Sequence, residues 1–313
     1  MTDTKMKKTK IEWVVTLKVI GITAVILGHI ASPLGAFIFS WHMPLFFFMA
    51  GFFLKTNLEP YQFMVKEFQR LMIPYFIFAL LALLIETIKR MLLNREQLDS
   101  VVAMKGVFFW MDMEALINSY AFVLWFLPAL FVARFCTYVI IKYVGSSIIQ
   151  LFVVAGLFLT SFHFQLPFAM DNGLNALIFV YLGGFLYKAE YDIWPFALLL
   201  IGIYFFYGFP TLDMSQKQYA NILLNIIWAG ACSYILIKLS KQFNKTPSLV
   251  VLWGSNTMLL FILHPYTNNV ASVFVDKLGY GEWYLKLALS LTMLQCVLLV
   301  KNKFHTWMIF KYV

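Results

Sequence analysis

Two histidines and a lysine near the start of the chain could do acid–base chemistry: Lys18, His29 and His42. Lys18 and His29 are eleven residues apart, which in an α-helix is three turns plus about 20°, so both project from one face, roughly 16 Å apart along the axis. His29 and His42 flank a turn at residues 32–35. In an antiparallel hairpin their imidazoles therefore lie within about one helical turn of the same depth. Two imidazoles at one depth are typical of a site that moves protons.

The same residues also have a structural interpretation, and their spacing leaves both open. Lys18 could extend its ammonium group to the membrane interface, and His29 could bond a neighbouring carbonyl group. His29 and His42 could equally form a hydrogen-bonded pair that fixes helix packing. Of the other histidines, His264 precedes a proline in an apolar segment, and His163, at the edge of another segment, is expected to be solvated.

Other kinds of site lack their sequence patterns. No pair of histidines or carboxylates has the spacing of metal ligands, so we expect no metal ion. Cys136, Cys232 and Cys296 lie in apolar stretches without a Cys-x-x-Cys pattern, which predicts buried thiols and neither a disulfide nor a zinc site. The chain has no Gly-x-Ser-x-Gly motif, which argues against a serine hydrolase.

The elements that carry these residues are predicted to be membrane-spanning helices. Of the 313 residues, 62% are hydrophobic and 12% charged, and the mean hydropathy is +0.79, whereas a soluble domain is roughly a quarter charged. A spanning helix needs about 20 apolar residues, and breaks at Pro, Gly and charge clusters give ten segments, at roughly 13–33, 36–54, 71–88, 119–140, 146–163, 172–188, 193–209, 219–239, 253–273 and 283–300. We expect a single all-α domain over residues 1–313, a polytopic membrane bundle of about ten transmembrane helices.

The positive charges indicate how this bundle is oriented. Ten spans place both termini on one side, and the loops and span ends on that side carry 16 of the 24 Lys and Arg residues against 7 on the other, with Lys18 inside the first span. Segments rich in Lys and Arg stay in the cytoplasm, so both termini are predicted to be cytoplasmic. The net charge of +9 then reflects topology, and we expect no nucleic-acid partner.

Five blocks of sequence, spread in order over the whole chain, resemble the motifs of the acyltransferase 3 family of bacterial integral membrane acyltransferases, particularly its fucose 4-O-acetylase-like branch. The first-helix motif of an acidic residue, a basic residue and a histidine is matched by Glu12, Lys18 and His29. The other blocks are His-Met-Pro-Leu-Phe-Phe-Phe at 42–48, Arg-Leu-Met-Ile-Pro-Tyr at 70–75, Trp-Phe-Leu-Pro-Ala-Leu at 125–130, and Gly-Ser-Asn-Thr at 254–257 with His-Pro at 264–265.

The resemblance implies an enzyme of the bacterial inner (cytoplasmic) membrane. Members of the family take an acyl group, usually acetyl, from cytoplasmic acyl-coenzyme A and transfer it to a hydroxyl group of a carbohydrate at the periplasmic face. The implied partners are acetyl-CoA as the acyl donor, the lipid bilayer, and a carbohydrate acceptor such as O-antigen, exopolysaccharide or another surface glycan.

The resemblance also implies roles for individual residues. His29 is the candidate catalytic base or acyl-handling residue, and both direct transfer and an acyl-His29 intermediate are open. Lys18 is implied both in catalysis and, with Arg70, in binding the anionic coenzyme, for which positive charge matters. The positions expected to contact substrate or to support the site are Glu12, His42, Trp125, Asn256 and His264. Of these, Trp125 or Asn256 could hold the developing oxyanion.

Three positions depart from the family pattern. Glu12 stands where Asp is commoner, Ala50 where Ser is common, and Glu67 leaves Arg70 without the Arg-x-x-Arg pair of many members. The coenzyme contacts are therefore expected to be arranged differently in this chain.

A transporter or flippase of acyl groups or lipid-linked sugars is the alternative function, with Lys18, His29 and His42 as a relay. Transporters commonly contain inverted repeats with paired broken helices, and the first hairpin has no second copy in this sequence. The enzyme is therefore the favoured prediction.

Overall fold

The structure is a computed structural model that describes residues 2–243 and 246–303, with residues 2–11 described by their helical backbone alone. Its α-helices are α1 (Thr2–Gly28), α2 (Gly35–Phe39), α3 (His42–Phe52), α4 (Pro60–Glu67), α5 (Ile73–Leu92), α6 (Ser100–Lys105), α7 (Met113–Leu116), α8 (Phe126–Tyr143), α9 (Ser147–Thr160), α10 (Met170–Lys188), α11 (Trp194–Tyr207), α12 (Ile222–Lys241), α13 (Ser248–Ser255), α14 (Thr257–Lys277) and α15 (Trp283–Lys303). π-Helical turns at Phe68–Met72 and Gly106–Trp110 and a 3₁₀ segment at Tyr120–Trp125 extend some of them.

Each of the ten predicted segments overlaps a helix, which confirms an all-α membrane protein. Among the residues that the structure describes, six helical segments are long and apolar enough to cross a membrane: Gly35–Phe52, Pro60–Leu92, Tyr120–Tyr143, Ile222–Lys241, Thr257–Lys277 and Trp283–Lys303. Ser100–Trp110, Ser147–Thr160 and Trp194–Tyr207 are apolar but shorter. By length and composition the chain is a multi-pass membrane protein, while the count of ten spans stays a prediction.

The cysteines differ from expectation in one case. Cys232 is buried and Cys136 is partly buried, but Cys296 on α15 is exposed. Helix α15 packs chiefly against α14, so its other face remains uncovered, as expected for a helix at the periphery of a bundle. An apolar stretch of sequence therefore identified a helix here but did not identify which of its faces is buried.

Helices α3 and α10 form the closest helix pair at the centre of the bundle. A Cβ atom added at Gly51 of α3 would lie 2.0 Å from the carbonyl oxygen of Val180, and one at Gly183 of α10 would lie 2.1 Å from that of Phe48. Only glycine allows the two backbones to approach so closely. This contact fixes the position of α3, whose first residue is His42.

A β-hairpin closes one end of the bundle. Strands β1 (Leu212–Asp213) and β2 (Gln218–Tyr219) pair antiparallel, with Leu212 opposite Tyr219. The hydroxyl group of Tyr219 donates to Asn175 Oδ1 on α10 at 2.7 Å, and burial raises the pKa of this phenol. The hairpin is thereby anchored to α10 at the end of the bundle where α1 terminates.

Candidate active site

Three histidines from different helices meet near the end of α1. His29 follows the last residue of α1, His42 begins α3, and His264 lies in α14 directly before Pro265. The ring centroid of His29 is 4.9 Å from that of His264 and 6.5 Å from that of His42. The predicted proximity of His29 and His42 is thus present, and His264 joins them.

The three imidazoles share one hydrogen-bonding pattern. Nδ1 contacts a backbone carbonyl oxygen in each case: Val25 O at 2.9 Å for His29, Ile38 O at 2.8 Å for His42 and Phe261 O at 2.7 Å for His264. A carbonyl oxygen only accepts, so Nδ1 carries the proton and the Nε2 atom of each neutral ring keeps its lone pair. Nε2 of His42 and of His264 is buried without a partner among the described residues. Each ring is therefore oriented to accept a proton at Nε2.

His29 opens into a cavity at this end of the bundle, which we call the His29 cavity. It has a volume of about 200 Å³, and its wall includes His42, Trp125 and Asp213. Trp125 ends the 3₁₀ segment before α8 and is buried. His29 itself is exposed, because the cavity reaches its ring. An acceptor molecule could thus reach the imidazole from this end.

Asp213 is a residue of this site that the sequence did not reveal. Its Oδ1 accepts hydrogen bonds from the backbone N–H of Ser215 at 2.9 Å, the hydroxyl group of Ser215 at 2.6 Å and the N–H of Gln216 at 3.2 Å. These bonds fix the carboxylate at the tip of the hairpin, in the wall that also contains His29. In the sequence Asp213 is one acidic residue among several in a connection, and only the hairpin returns it to the histidines.

A second cavity, which we call the Lys18 cavity, lies toward the beginning of α1. It has a volume of about 350 Å³ and is lined by three cations, Lys18, Arg70 and Arg134. Lys18 is exposed to this cavity, and its side chain has no carboxylate partner in the part of the chain that the structure describes. Three positive charges converge on one apolar-walled space, an arrangement suited to an anion.

Glu67 holds two of these cations together. Its two carboxylate oxygens accept from Arg134 Nε at 3.0 Å and Nη2 at 3.1 Å, and Arg70 Nη2 lies 2.7 Å from Oε2. Arg134 also donates to the carbonyl oxygen of Ala50. Arg134 is buried within α8 and lines this cavity with Lys18 and Arg70. Many family members have a second arginine three residues before the position of Arg70, where this chain has Glu67. Arg134 of α8 places a guanidinium group beside that position.

The two cavities meet inside the bundle. Met43 and Phe261 contribute to the walls of both. Helix α1 passes both cavities, with Lys18 at one and His29 at the other, roughly 16 Å apart along the helix axis. Lys18 therefore lines one cavity and His29 the neighbouring one.

The structure does not bring all of the predicted residues to the histidines. Asn256 lies between α13 and α14, eight residues before His264, which is about 12 Å along a helix. Its amide group donates to Leu252 O at 2.7 Å. Asn256 and Glu12 line neither cavity. Of the two expected oxyanion donors, Trp125 therefore lines the His29 cavity and Asn256 does not.

In the described part of the chain, no group of three or more His, Cys, Asp or Glu side chains has an arrangement that could hold a metal ion. In the histidine cluster, the ring centroids of His29 and His42 are 6.5 Å apart, and Nδ1 of each ring contacts a backbone carbonyl oxygen. Imidazole and carboxylate groups are the acid–base groups that the described residues bring to this site.

Comparison with known proteins gives one match. The model of an acyltransferase domain family, acyltransferase 3, matches residues 11–301. Comparisons with curated proteins and with solved structures gave no match. The family match covers α1 to α15 and includes both cavities, the histidine cluster and the Lys18, Arg70 and Arg134 group. With its motifs in place on a membrane-embedded helical bundle, this chain belongs to the acyltransferase 3 family of membrane acyltransferases.

Proposed function

We propose that this protein is an O-acyltransferase of the bacterial inner membrane that moves an acetyl group from acetyl-CoA to a hydroxyl group of a surface carbohydrate. The observation that carries the proposal is the pair of cavities that meet at Met43 and Phe261, one cationic and one containing His29. Two substrates could enter from opposite ends and bring their reacting atoms together inside the bundle.

The Lys18 cavity is the proposed donor site. Lys18, Arg70 and Arg134 outnumber Glu67, so this space has an excess of positive charge for the phosphate groups of the coenzyme. The walls between these cations and Phe261 are mostly apolar, which suits the pantetheine arm and its thioester. In this arrangement the phosphates stay near Lys18 and Arg70 while the acyl group extends toward His29.

His29 is the proposed general base. As the sugar hydroxyl attacks the thioester carbonyl, Nε2 of His29 takes the hydroxyl proton, the new ester C–O bond forms and the C–S bond breaks. The thiolate leaves and receives the proton from the imidazolium group, which regenerates neutral His29 and free coenzyme. The indole N–H of Trp125 is the proposed donor to the oxyanion that develops on the carbonyl oxygen.

The orientation of the enzyme is part of the proposal. The excess of Lys and Arg on the side of the termini supports placing the Lys18 cavity toward the cytoplasm, where acetyl-CoA is made, and the His29 cavity toward the periplasm. The resemblance to the fucose 4-O-acetylase-like branch supports a carbohydrate as the acceptor.

Replacement of His29 tests the function. In detergent-purified protein, His29→Ala is expected to lower acetyl transfer from radiolabelled acetyl-CoA by at least about 100-fold, the usual effect of losing a general base, with an unchanged melting temperature. His305→Ala, which changes the histidine of the C-terminal tail outside the described residues, is the matched control and should keep wild-type activity. Transfer at the wild-type rate by folded His29→Ala protein would contradict the assignment. Glycan flux without acyl-CoA in proteoliposomes would instead favour the transporter.

A further inference from the structure

A third cavity lies beside the His29 cavity and is polar. It has a volume of about 270 Å³, and its polar lining includes Asp112, Glu114, His163, Gln165, Asp171 and Lys217. Ser215, at the tip of the β-hairpin, lines both this outer polar cavity and the His29 cavity. The two spaces are therefore neighbours that share one residue of their wall.

Asp171 is the most informative residue of the outer polar cavity. Its side chain is 3% exposed, and its Oδ2 forms an ion pair with the ammonium group of Lys217. Its other oxygen, Oδ1, is buried without a hydrogen-bond partner among the described residues. A buried carboxylate oxygen in a folded protein is nearly always hydrogen-bonded. Asp171 thus has an unused acceptor in the wall of a cavity large enough for a small molecule.

The wall between the two cavities is fixed by α10. Asn172 donates from Nδ2 to the carbonyl oxygen of Ser215 at 3.0 Å and to that of Met214 at 3.4 Å. Together with the pair of Asp171 and Lys217, these bonds hold the hairpin tip on the first turn of α10. These contacts therefore fix the position of Asp171 relative to Ser215, the residue that lines both cavities.

The opposite wall is formed by the segment before α7. Asp112 accepts from Ala115 N at 2.8 Å with Oδ1, which caps α7, and from Gln165 Nε2 at 3.3 Å with Oδ2. This segment is joined to the chain before α10 by a backbone hydrogen bond from Ala169 N to Trp110 O at 2.9 Å. The acidic groups of the cavity are thus held by capping and backbone contacts.

The charge of the outer polar cavity selects among ligands. Three carboxylates, on Asp112, Glu114 and Asp171, face one ammonium group, on Lys217. A net negative site disfavours anions such as uronic acids and phosphorylated sugars. Carboxylate and amide oxygens accept hydrogen bonds from hydroxyl groups, and those to a charged acceptor are the stronger. The lining therefore fits a molecule that carries many hydroxyl groups and no negative charge.

We propose that the outer polar cavity binds the acceptor as an uncharged sugar unit, with one hydroxyl group donating to Asp171 Oδ1 while another reaches past Ser215 into the His29 cavity. This inference rests on the proposed function, and it adds the place of the acceptor and its chemical class. Asp171 is then a substrate-binding residue, and the hairpin tip sets which hydroxyl group meets His29.

The test uses the purified full-length protein, radiolabelled acetyl-CoA and two acceptors that differ in charge, methyl glucoside and methyl glucuronide. Wild-type protein is expected to acetylate the glucoside with a kcat/KM about tenfold above that for the glucuronide, the scale of one unfavourable charged contact. Asp171→Asn is expected to raise the KM for the glucoside about tenfold.

Two further variants keep the test decisive. Asp276→Asn also removes the carboxylate of an ion pair, with Lys286 at 2.7 Å, but lines none of these cavities and should behave as wild type. Asp112→Asn removes one negative charge, while Asn caps a helix as well as Asp does. It should therefore reduce the ratio of kcat/KM for the glucoside to that for the glucuronide. This variant tests the inference even if Asp171→Asn fails to fold.

The outcomes separate the two claims. A wild-type KM in folded Asp171→Asn protein, equal use of the two glycosides, or acetyl-CoA hydrolysis with transfer to neither glycoside would overturn the inference about the acceptor cavity. If the wild-type protein showed neither hydrolysis of acetyl-CoA nor acetyl transfer, the proposed function itself would be contradicted.

Discussion

Glu67 shows how one side chain can balance a group of cations inside the bundle. It is 2% exposed and contacts both Arg134 and Arg70, and without it two guanidinium groups would face each other at low dielectric. The carboxylate compensates the buried positive charge of Arg134 within α8. The same carboxylate neutralises part of the positive charge of the Lys18 cavity before any coenzyme binds.

Glu67→Gln is predicted to destabilise the protein by about 3 kcal/mol, because removal of one partner leaves a buried charge uncompensated. The measurement is thermal unfolding in detergent followed by tryptophan fluorescence. Glu59→Gln is the matched control, since Glu59 has a side chain that is 75% exposed and lies 3.5 Å from Lys142, where an ion pair contributes little. Equal melting temperatures for the two variants would show that the buried pair does not stabilise the fold.

Single residues of the site were predicted from sequence when their types were out of place locally. Lys18, His29 and His42 are polar residues in apolar segments, so hydropathy alone indicated them. Arg134 and Asp213 were missed as site residues because their roles depend on distant parts of the chain: Arg134 pairs with a carboxylate 67 positions earlier, and the hairpin carries Asp213 back to α1. No local pattern encodes either contact.

At the scale of elements, the α3–α10 contact determines where His42 lies. The glycines of this pair face carbonyl oxygens of the opposite helix, Gly51 facing Val180 and Gly183 facing Phe48. Close packing of this kind does not adjust gradually, because a methyl group at either position would overlap a backbone atom. A change here should therefore displace a whole helix and with it the first residue of α3.

Gly183→Ala is predicted to lower the stability by about 1–3 kcal/mol, the usual cost of overpacking, and to reduce activity by shifting His42. Gly184→Ala is the control on the neighbouring position, where an added Cβ would be 4.0 Å from the nearest atom, Gly51 O. Unfolding temperature and acetyl transfer are measured for both variants. If Gly183→Ala matched Gly184→Ala in both, the close approach of the helices would not be essential.

The elements were largely predictable from hydropathy, and their interruptions were not. The predicted segment at 36–54 is divided into α2 and α3 at Ser40 and Trp41, where Pro44 provides no N–H for the carbonyl oxygen of Ser40. The hydroxyl group of Ser40 is bonded instead by the indole N–H of Trp228 on α12 at 2.8 Å. Such a break is stabilised by a tertiary contact, so only its proline is visible in the sequence.

At the scale of the whole molecule, the arrangement of the bundle could not be read from the chain. Hydropathy and charge predicted helices and an orientation, but the two cavities arise from which helices are neighbours. Helix α1 packs against its sequence neighbours α2 and α3 and also against α12, α13 and α14 from the far part of the chain, an order that sequence proximity does not predict. The cavities on either side of Met43 and Phe261 follow from that order, and so does the meeting of His29 with His264.

Met43 and Phe261 have a consequence for the membrane as an electrical insulator. If water-filled spaces that enter a membrane protein from both sides were joined, protons would cross the membrane through them. Apolar constrictions prevent this leak by excluding water. Phe261→Ala is predicted to let protons leak through liposomes that contain the protein, measured with an enclosed pH-sensitive dye. Phe205→Ala, which changes an exposed ring on α11, should leave the liposomes tight, and equal leakage from both would contradict the prediction. In the proposed mechanism, Met43 and Phe261 would allow an acyl group to pass between the two cavities while the membrane potential is maintained.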